Sequence, residues 1–190
     1  AYLVPKLEVP HLFPDLSQST TGAEYLVVGP AVFLDALEPL LALRKAQGLS
    51  TFFSPLEAVY DQYNYGLPEP EAIHRFVLFA AAYWQIKPRY LLLLGDASYD
   101  PKGYLADPGV NQLPIYLINT QYGGLTGSDL PYVDVDNDHV PDLAVGRIPA
   151  RTSTELEDWV NKTLAYEQAL ENPQPLTALA VADGQEASFR

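Results

Sequence analysis

Ser128 to Glu157 reads SDLPYVDVDNDHVPDLAVGRIPARTSTELE. Three signals follow one another in it. Asp134, Asp136, Asp138 and Asp142 fall on alternating positions, a crowd of carboxylates that repel one another unless a cation neutralises them. The apolar run Leu143 to Val145 comes next and reads as a short strand. Thr152 and Glu155 then stand three apart, the capping-box relation that opens a helix. Turn, apolar strand and capped helix in direct succession are the parts of an α/β unit.

The same grammar repeats upstream. EYLVVG (24–29) is a short buried strand, and VFLDALEPLLALRKAQ (32–47) is a helix with Lys45 in its last turn and Gly48 just past its end. LSTFFS (49–54) is a second strand. Ser54, Pro55 and Glu57 then read as a capping box with proline at the first helical position, opening a short helix to about Tyr63. From Pro70 to Gln85, residues Ile73, Phe76, Val77, Ala80, Ala81 and Trp84 form one apolar face at helical spacing, with His74 at its boundary. RYLLLLGD (89–96) is a strand without alternation, as expected where both faces are covered. LPIYLIN (113–119) and DLAVGRI (142–148) are further strands. The helix over 152–171 sets Leu156, Trp159, Val160, Thr163 and Leu164 on one side, and LTALAVAD (176–183) is a last apolar strand. Strand–helix repetition with apolar strands predicts an open, mainly parallel sheet flanked by helices, joined by right-handed crossovers. Before Glu24, Pro5, Pro10 and Pro14 block a helix, so 1–23 is expected to be an extended arm. The segment 103–146 holds six aspartates and no lysine or arginine, and reads as a long excursion from the sheet.

Composition narrows the function. A formal net charge of −13 disfavours nucleic acid and anionic membrane surfaces as partners and suits cations. No apolar run is long enough to span a membrane. Zero cysteines exclude disulfides, thiolate metal sites and a cysteine nucleophile within these residues. The chain also lacks methionine, and Ala1 is not expected to be an original start. For that reason it reads as a piece of a longer protein; its length of 190 residues fits one domain, or one and a fraction, on a prior of roughly 150 residues per domain.

The aspartate spacing carries the most chemistry. Asp134, Asp136, Asp138 and Asp142 match the first, third, fifth and ninth places of a calcium loop, and Val140 stands where such a loop offers a backbone carbonyl. Calcium takes about six to eight hard oxygens, which short acidic side chains on a tight turn can supply together. His139 replaces the usual turn glycine, and Val145 replaces the closing glutamate, so the loop is calcium-like without being an EF-hand. The other reading is a solvated acidic turn at a strand end. Asp96 and Asp100 follow the strand ending at Leu94; they stand where open α/β sheets bind ligands, although Gly95 and Pro101 make a turn the simpler account. His139 sits among carboxylates but beside no activated serine or cysteine. Neither a phosphate-binding glycine loop nor a zinc-ligand spacing is present, which leaves a flavodoxin-like nucleotide binder without support.

PRYLLLLGDASYDP (88–101), SDLPYVDVDNDHVPDLAVGRIPARTSTELEDWVNKTLAYE (128–167) and, more loosely, EYLVVGPAVFLDALEPLLALRKAQGLSTFF (24–53) resemble the gingipain-type, caspase-like cysteine peptidases. The resemblance implies two adjacent α/β subdomains. The first would cover 24–172; residues 173–190, with strand Leu176 to Ala182, would begin the second, whose sheet is left incomplete. It places the catalytic histidine and cysteine downstream, so no residue here is catalytic. It also implies structural calcium, a secreted or cell-surface location, protein substrates often cut after arginine or lysine, and a partner in the remainder of the same precursor. Asp183 and Glu186 are its candidates for an acidic specificity pocket. The function so implied is the non-nucleophilic, scaffolding portion of such a peptidase. The alternative is a non-catalytic, calcium-stabilised caspase-like module for binding or surface display.

Overall fold

Four apolar runs line up in one parallel sheet. In the computed structural model, which describes residues 13, 15–18, 21–106, 109–121 and 123–170, these are β1 (Tyr25–Gly29), β2 (Thr51–Pro55), β3 (Tyr90–Leu94) and a later strand, Ala144–Ile148. Between the last two lies a separate antiparallel hairpin of β4 (Tyr116–Thr120) and β5 (Gly124–Ser128), which makes Ala144–Ile148 β6. The sheet order is β2-β1-β3-β6, so the most apolar strands, β1 and β3, take the centre. Register is set residue by residue, with Val27 beside Leu92 and Leu93 beside Arg147.

Helices cover both faces, which is why β1 and β3 need no alternation. On one face α1 (Leu34–Ala46) and α4 (Ser153–Leu170) pack over Val27, Leu92 and Leu94, with Leu37, Leu40, Leu156 and Val160 fully or almost fully buried. On the other, α2 (Leu56–Asn64) and α3 (Pro70–Tyr83) pack over Leu26, Val28, Leu91 and Leu93. There Trp84 meets Phe52 and Phe76 edge-on, at ring-centroid distances of 5.1 and 5.8 Å. Arg44 forks onto Glu167 at 2.7 and 2.8 Å and ties α1 to α4.

The ends of the elements show which local signals operate. At the end of α1, the Gly48 N–H donates to Lys45 and the Leu49 N–H to Arg44. That is the two-bond Schellman closure, and it needs Gly48 at φ +87. The cap expected at α4 forms: Thr152 Oγ1 accepts from the Glu155 N–H at 3.2 Å, while the Glu155 carboxylate reaches one residue past the cap and takes the Arg151 N–H at 2.7 Å. The one expected at α2 does not. The sheet runs one residue beyond the expected strand end, pairing Val28 with Ser54 and Gly29 with Pro55. Ser54 is therefore a strand residue whose buried Oγ has no partner, Pro55 is the cap residue, and Glu57 turns to the Ala31 N–H instead.

Three other expectations change in detail. LPIYLIN does form a strand, but it belongs to the hairpin, because the whole connection from β3 to β6 stands off the sheet. Trp159, placed on the packed side of α4, is 43% exposed. The last residues of the expected arm join the core, with Leu16 buried and its N–H bonded to the Gln62 side chain at 2.7 Å. The rest of that arm, strand Leu176 to Ala182, and Asp183 and Glu186 lie outside the described residues. No described helix is long and apolar enough to cross a membrane.

Candidate functional site: an acidic turn and an arginine staple

A single-turn 3-10 helix at Leu130–Tyr132 delivers the chain to the acidic turn. Tyr132 and Val133 are buried on one side of that turn and Leu143 on the other, so both of its ends are anchored in the core. The Asp142 N–H donates to the Val133 carbonyl at 2.9 Å and closes the base. Between these anchors each aspartate side chain grips backbone. Asp134 Oδ2 accepts from the His139 N–H at 3.1 Å, Asp136 Oδ1 from Asp138 at 3.2 Å, Asp138 Oδ1 from Val140 at 2.7 Å, and Asp142 Oδ2 from Val135 at 2.7 Å. Asn137 and His139 take left-handed backbone, at φ 62 and φ 69. Asparagine tolerates that conformation; histidine there replaces the glycine that such a bend favours.

The result brings three carboxylates together. Asp134, Asp136 and Asp138 each place an oxygen within 4.8 Å of the other two. Asp136 and Asp138 are exposed, but Asp134 is only 6% exposed, and its Oδ1 is buried without a hydrogen-bond partner. A buried carboxylate oxygen left alone costs about 1–3 kcal/mol or more, so it calls for a positive partner. The donor set is all hard oxygen and suits a cation of the calcium or magnesium type, not a thiophilic one. Asp142 spends one oxygen on the turn itself, and Val140 contributes its N–H to Asp138. His74, at the margin of the α3 apolar face, reaches the Asp134 carbonyl with Nε2 at 3.2 Å.

A second centre lies at the carboxyl ends of β3 and β6, and sequence reading missed its key residue. Arg147 projects from β6 with its side chain only 11% exposed. Its guanidinium holds Asp129 through Nε and NH2, the shortest bond being 2.7 Å. It also donates to the Gly95 carbonyl at 3.0 Å, Leu113 at 2.9 Å and Pro114 at 3.1 Å. One side chain thus staples the end of β3, the strand leading into the hairpin, and the turn after it. The available signal was an arginine inside an apolar strand, following 44 residues (103–146) without lysine or arginine. Nearby, Asp96 pairs with Arg151 at 2.7 Å and accepts the Ala97 N–H at 2.9 Å. Asp100 accepts the Leu105 N–H at 2.6 Å, and that bond, before any other cause, holds its carboxyl below the usual range. Both aspartates serve turns, as the simpler reading expected.

The chain contains no thiol, and no described serine, histidine and carboxylate form a nucleophilic relay. What this geometry can do is bind a hard cation and fix loops at one end of a parallel sheet.

Comparison with known proteins follows the same line. The sequence profile of peptidase family C25 matches residues 18–188. No curated protein matches the chain. Among solved structures, it is similar to dimeric latent PorU from Porphyromonas gingivalis, at 23% identity and a TM-score of 0.61, over 78% of this chain and 16% of that one. A structure described only as a protease follows, at 22% identity and 0.58, over 77% of this chain and 28% of the other. The Arg-specific cysteine proteinase gingipain R is similar at 17% identity and 0.56, over 81% of this chain and 30% of that one. The chain thus spans between 16% and 30% of these neighbours' lengths.

Proposed function

This chain belongs to peptidase family C25, and from that premise we propose that it is the non-nucleophilic N-terminal portion of a secreted, gingipain-like cysteine endopeptidase. Its task is to scaffold a catalytic subdomain supplied by the rest of the same precursor. One observation carries the reading: the family profile runs through residues 18–188 of a chain that has zero cysteines. The fold of the family is therefore present without the nucleophile its chemistry needs. The short coverage of the solved neighbours supports placing the chemistry elsewhere in a longer polypeptide.

We further propose that Asp134, Asp136 and Asp138, with the Val140 carbonyl and Asp142, hold a structural calcium ion. The unpartnered Asp134 Oδ1 and the converging carboxylates support this. Bound there, the ion would offset part of the turn's negative charge and fix the entry into β6; it takes no part in peptide hydrolysis. Protein substrates and an extracellular location belong to the same proposal.

The test is made on native material. A thiol-directed active-site probe should label a cysteine-containing polypeptide that either accompanies this chain or continues it, and intact mass should identify which. Labelling of nothing, with a mass that leaves no room for a second subdomain, would replace the proposal by the non-catalytic binding or display module.

A further inference from the structure

The β4–β5 hairpin is held firmly at both ends and largely uncovered between them. At its root, Arg147 takes the Leu113 and Pro114 carbonyls on the way in and the Asp129 carboxylate on the way out. The Tyr116 ring packs on Tyr132 at a centroid distance of 5.1 Å, and its hydroxyl donates to the Glu71 carboxylate at 3.1 Å. At the tip, Thr120 Oγ1 accepts the Gly123 N–H and donates to the Gly124 carbonyl, each at 3.1 Å. Between root and tip, β5 is exposed from Gly124 to Gly127, with Leu125 at 47%. Among the described residues the two strands pair only with each other. A lone two-stranded ribbon is at best marginally stable in water. Here an almost buried arginine fixes the root of one that has little to pack on.

Exposed strand edges are normally guarded by charge, by proline or by a bulge. The outer edge of β5 has none of these. Residues 113–128, LPIYLINTQYGGLTGS, carry no charged side chain, and their one proline, Pro114, precedes β4. The pairs from Tyr116 with Ser128 to Thr120 with Gly124 follow one another without a bulge. Gly124 and Gly127 leave little side chain in the way of an approaching backbone. In an antiparallel pair only alternate backbone groups bond inward, so the others of β5 point out with no strand to meet them. The β4 edge is the less open one, because Tyr116, Leu117 and Thr120 are half-buried.

Charge decides the occupant. The chain carries a net −13, and the excursion that bears the ribbon, 103–146, holds six aspartates and no lysine or arginine. Arg147, the next basic residue, is already spent on Asp129 and three carbonyls. A second copy of this chain, or any acidic segment, therefore meets like charge. A basic segment is drawn in by the same field and finds no positive side chain at the edge. We propose that the outer edge of β5 takes an extended, lysine- or arginine-rich polypeptide segment as a third strand. Backbone hydrogen bonds supply the affinity, and the sign of the field selects the partner. Binding there needs neither a nucleophile nor a second subdomain, so it stands or falls apart from the proposed function.

Hydrogen exchange on the 190-residue chain with three probe peptides is the experiment. The first peptide is two repeats of Val-Lys-Thr-Lys. The second has glutamate for every lysine. The third is the lysine peptide with every backbone nitrogen methylated, which keeps the charge and removes the donors. With the first at about ten times its dissociation constant, edge amides in 124–128 should exchange about tenfold more slowly, with β1 and β3 unchanged. The other two should give no protection. Leu125→Lys, which sets a positive side chain beside the edge, should weaken the lysine peptide about tenfold. Tyr83→Lys makes the same charge change on a 70% exposed side chain at the far end of α3, and should weaken it less than about twofold. If Leu125→Lys disturbs the hairpin itself, the three peptides on the unsubstituted chain decide alone. No protection by the lysine peptide, or equal protection by the glutamate peptide, overturns the basic occupant. Equal protection by the methylated peptide overturns strand pairing. Protection of 124–128 that grows with chain concentration alone gives the edge to a second copy and overturns the proposal as well.

Discussion

Arg147 ties four residues together from a position with little sequence signature. Its fork takes both oxygens of Asp129 and three carbonyls from segments that otherwise have no sheet to bind them. Breaking a largely buried ion pair from one side leaves the other charge stranded, at about 3–5 kcal/mol. Arg147→Ala should therefore cost about that much in denaturant unfolding, and Arg147→Lys should recover only part, since an ammonium cannot reproduce the planar fork. A loss below about 1 kcal/mol would show that the staple is redundant. The acidic turn gives the second residue-scale expectation. Asp136→Asn keeps an oxygen for the Asp138 N–H but removes one charge from the group of three. With calcium at a hundredfold excess over its dissociation constant, the unsubstituted chain gains about 2.7 kcal/mol. The variant should lose most of that gain, yet be no less stable than the unsubstituted chain in chelator. A melting temperature indifferent to chelator would remove calcium from the account. The aspartate spacing was legible because it is local. Convergence of three carboxylates, and the partnerless oxygen of Asp134, were not, since both depend on how the turn is anchored through Val133 and Leu143.

At the scale of elements, two helix starts with the same sequence signature behave differently. Thr152 caps α4, so Thr152→Ala should destabilise by about 1 kcal/mol. Ser54, in the same sequence relation to α2, is consumed by the sheet, and its Oγ is buried with nothing to bond. Ser54→Ala should therefore be neutral or stabilising, because it deletes an unsatisfied buried hydroxyl. Equal losses at the two sites in thermal unfolding would contradict the assignment. The contrast explains what sequence reading reached. The buried strands and the helices from 34 to 83 and 153 to 170 were legible from apolar period, which tertiary packing reinforces. The end of β2 was not, because parallel pairing with β1 decides it from 26 residues away (Val28 with Ser54). The β5 strand, GLTGS, has neither period nor β-branched content beyond Thr126 and exists only as the partner of β4.

For the whole molecule, the tyrosines set an alkaline limit. Burial pushes the Tyr63 phenol up to about 12 from 10.0, and drives Tyr60, Tyr116 and Tyr132 upward by the same cause. A raised phenol means that the folded state holds its proton more tightly than the unfolded chain does. Its contribution is complete below pH 10.0 and is lost as the pH rises from there through about 12. Unfolding free energy should thus be flat on the neutral side and fall steeply in that window, with tyrosinate absorbance of these residues rising only as the fold is lost. Early, reversible titration of all the tyrosines without unfolding would show that the burial is not maintained. The α/β class and the parallel sheet were readable from the chain; the distribution of helices between the faces was not, since it follows from the crossover hand and not from any one segment.

The excursion between β3 and β6 is the part of this molecule with the least sheet to protect its backbone, and it is where a protease would ordinarily cut first. Its charge pattern changes that. From 103 to 146 there is no lysine or arginine, so an enzyme requiring a cationic side chain before the scissile bond finds none. The residues that bound the stretch are unequal: Lys102 is exposed, whereas Arg147 is locked into its carbonyls and Asp129. Limited digestion with trypsin should nick after Lys102 and spare everything from there to Arg147. In surroundings rich in proteases that cut at basic residues, the stretch from 103 to 146 persists not by rigidity but by offering no place to cut.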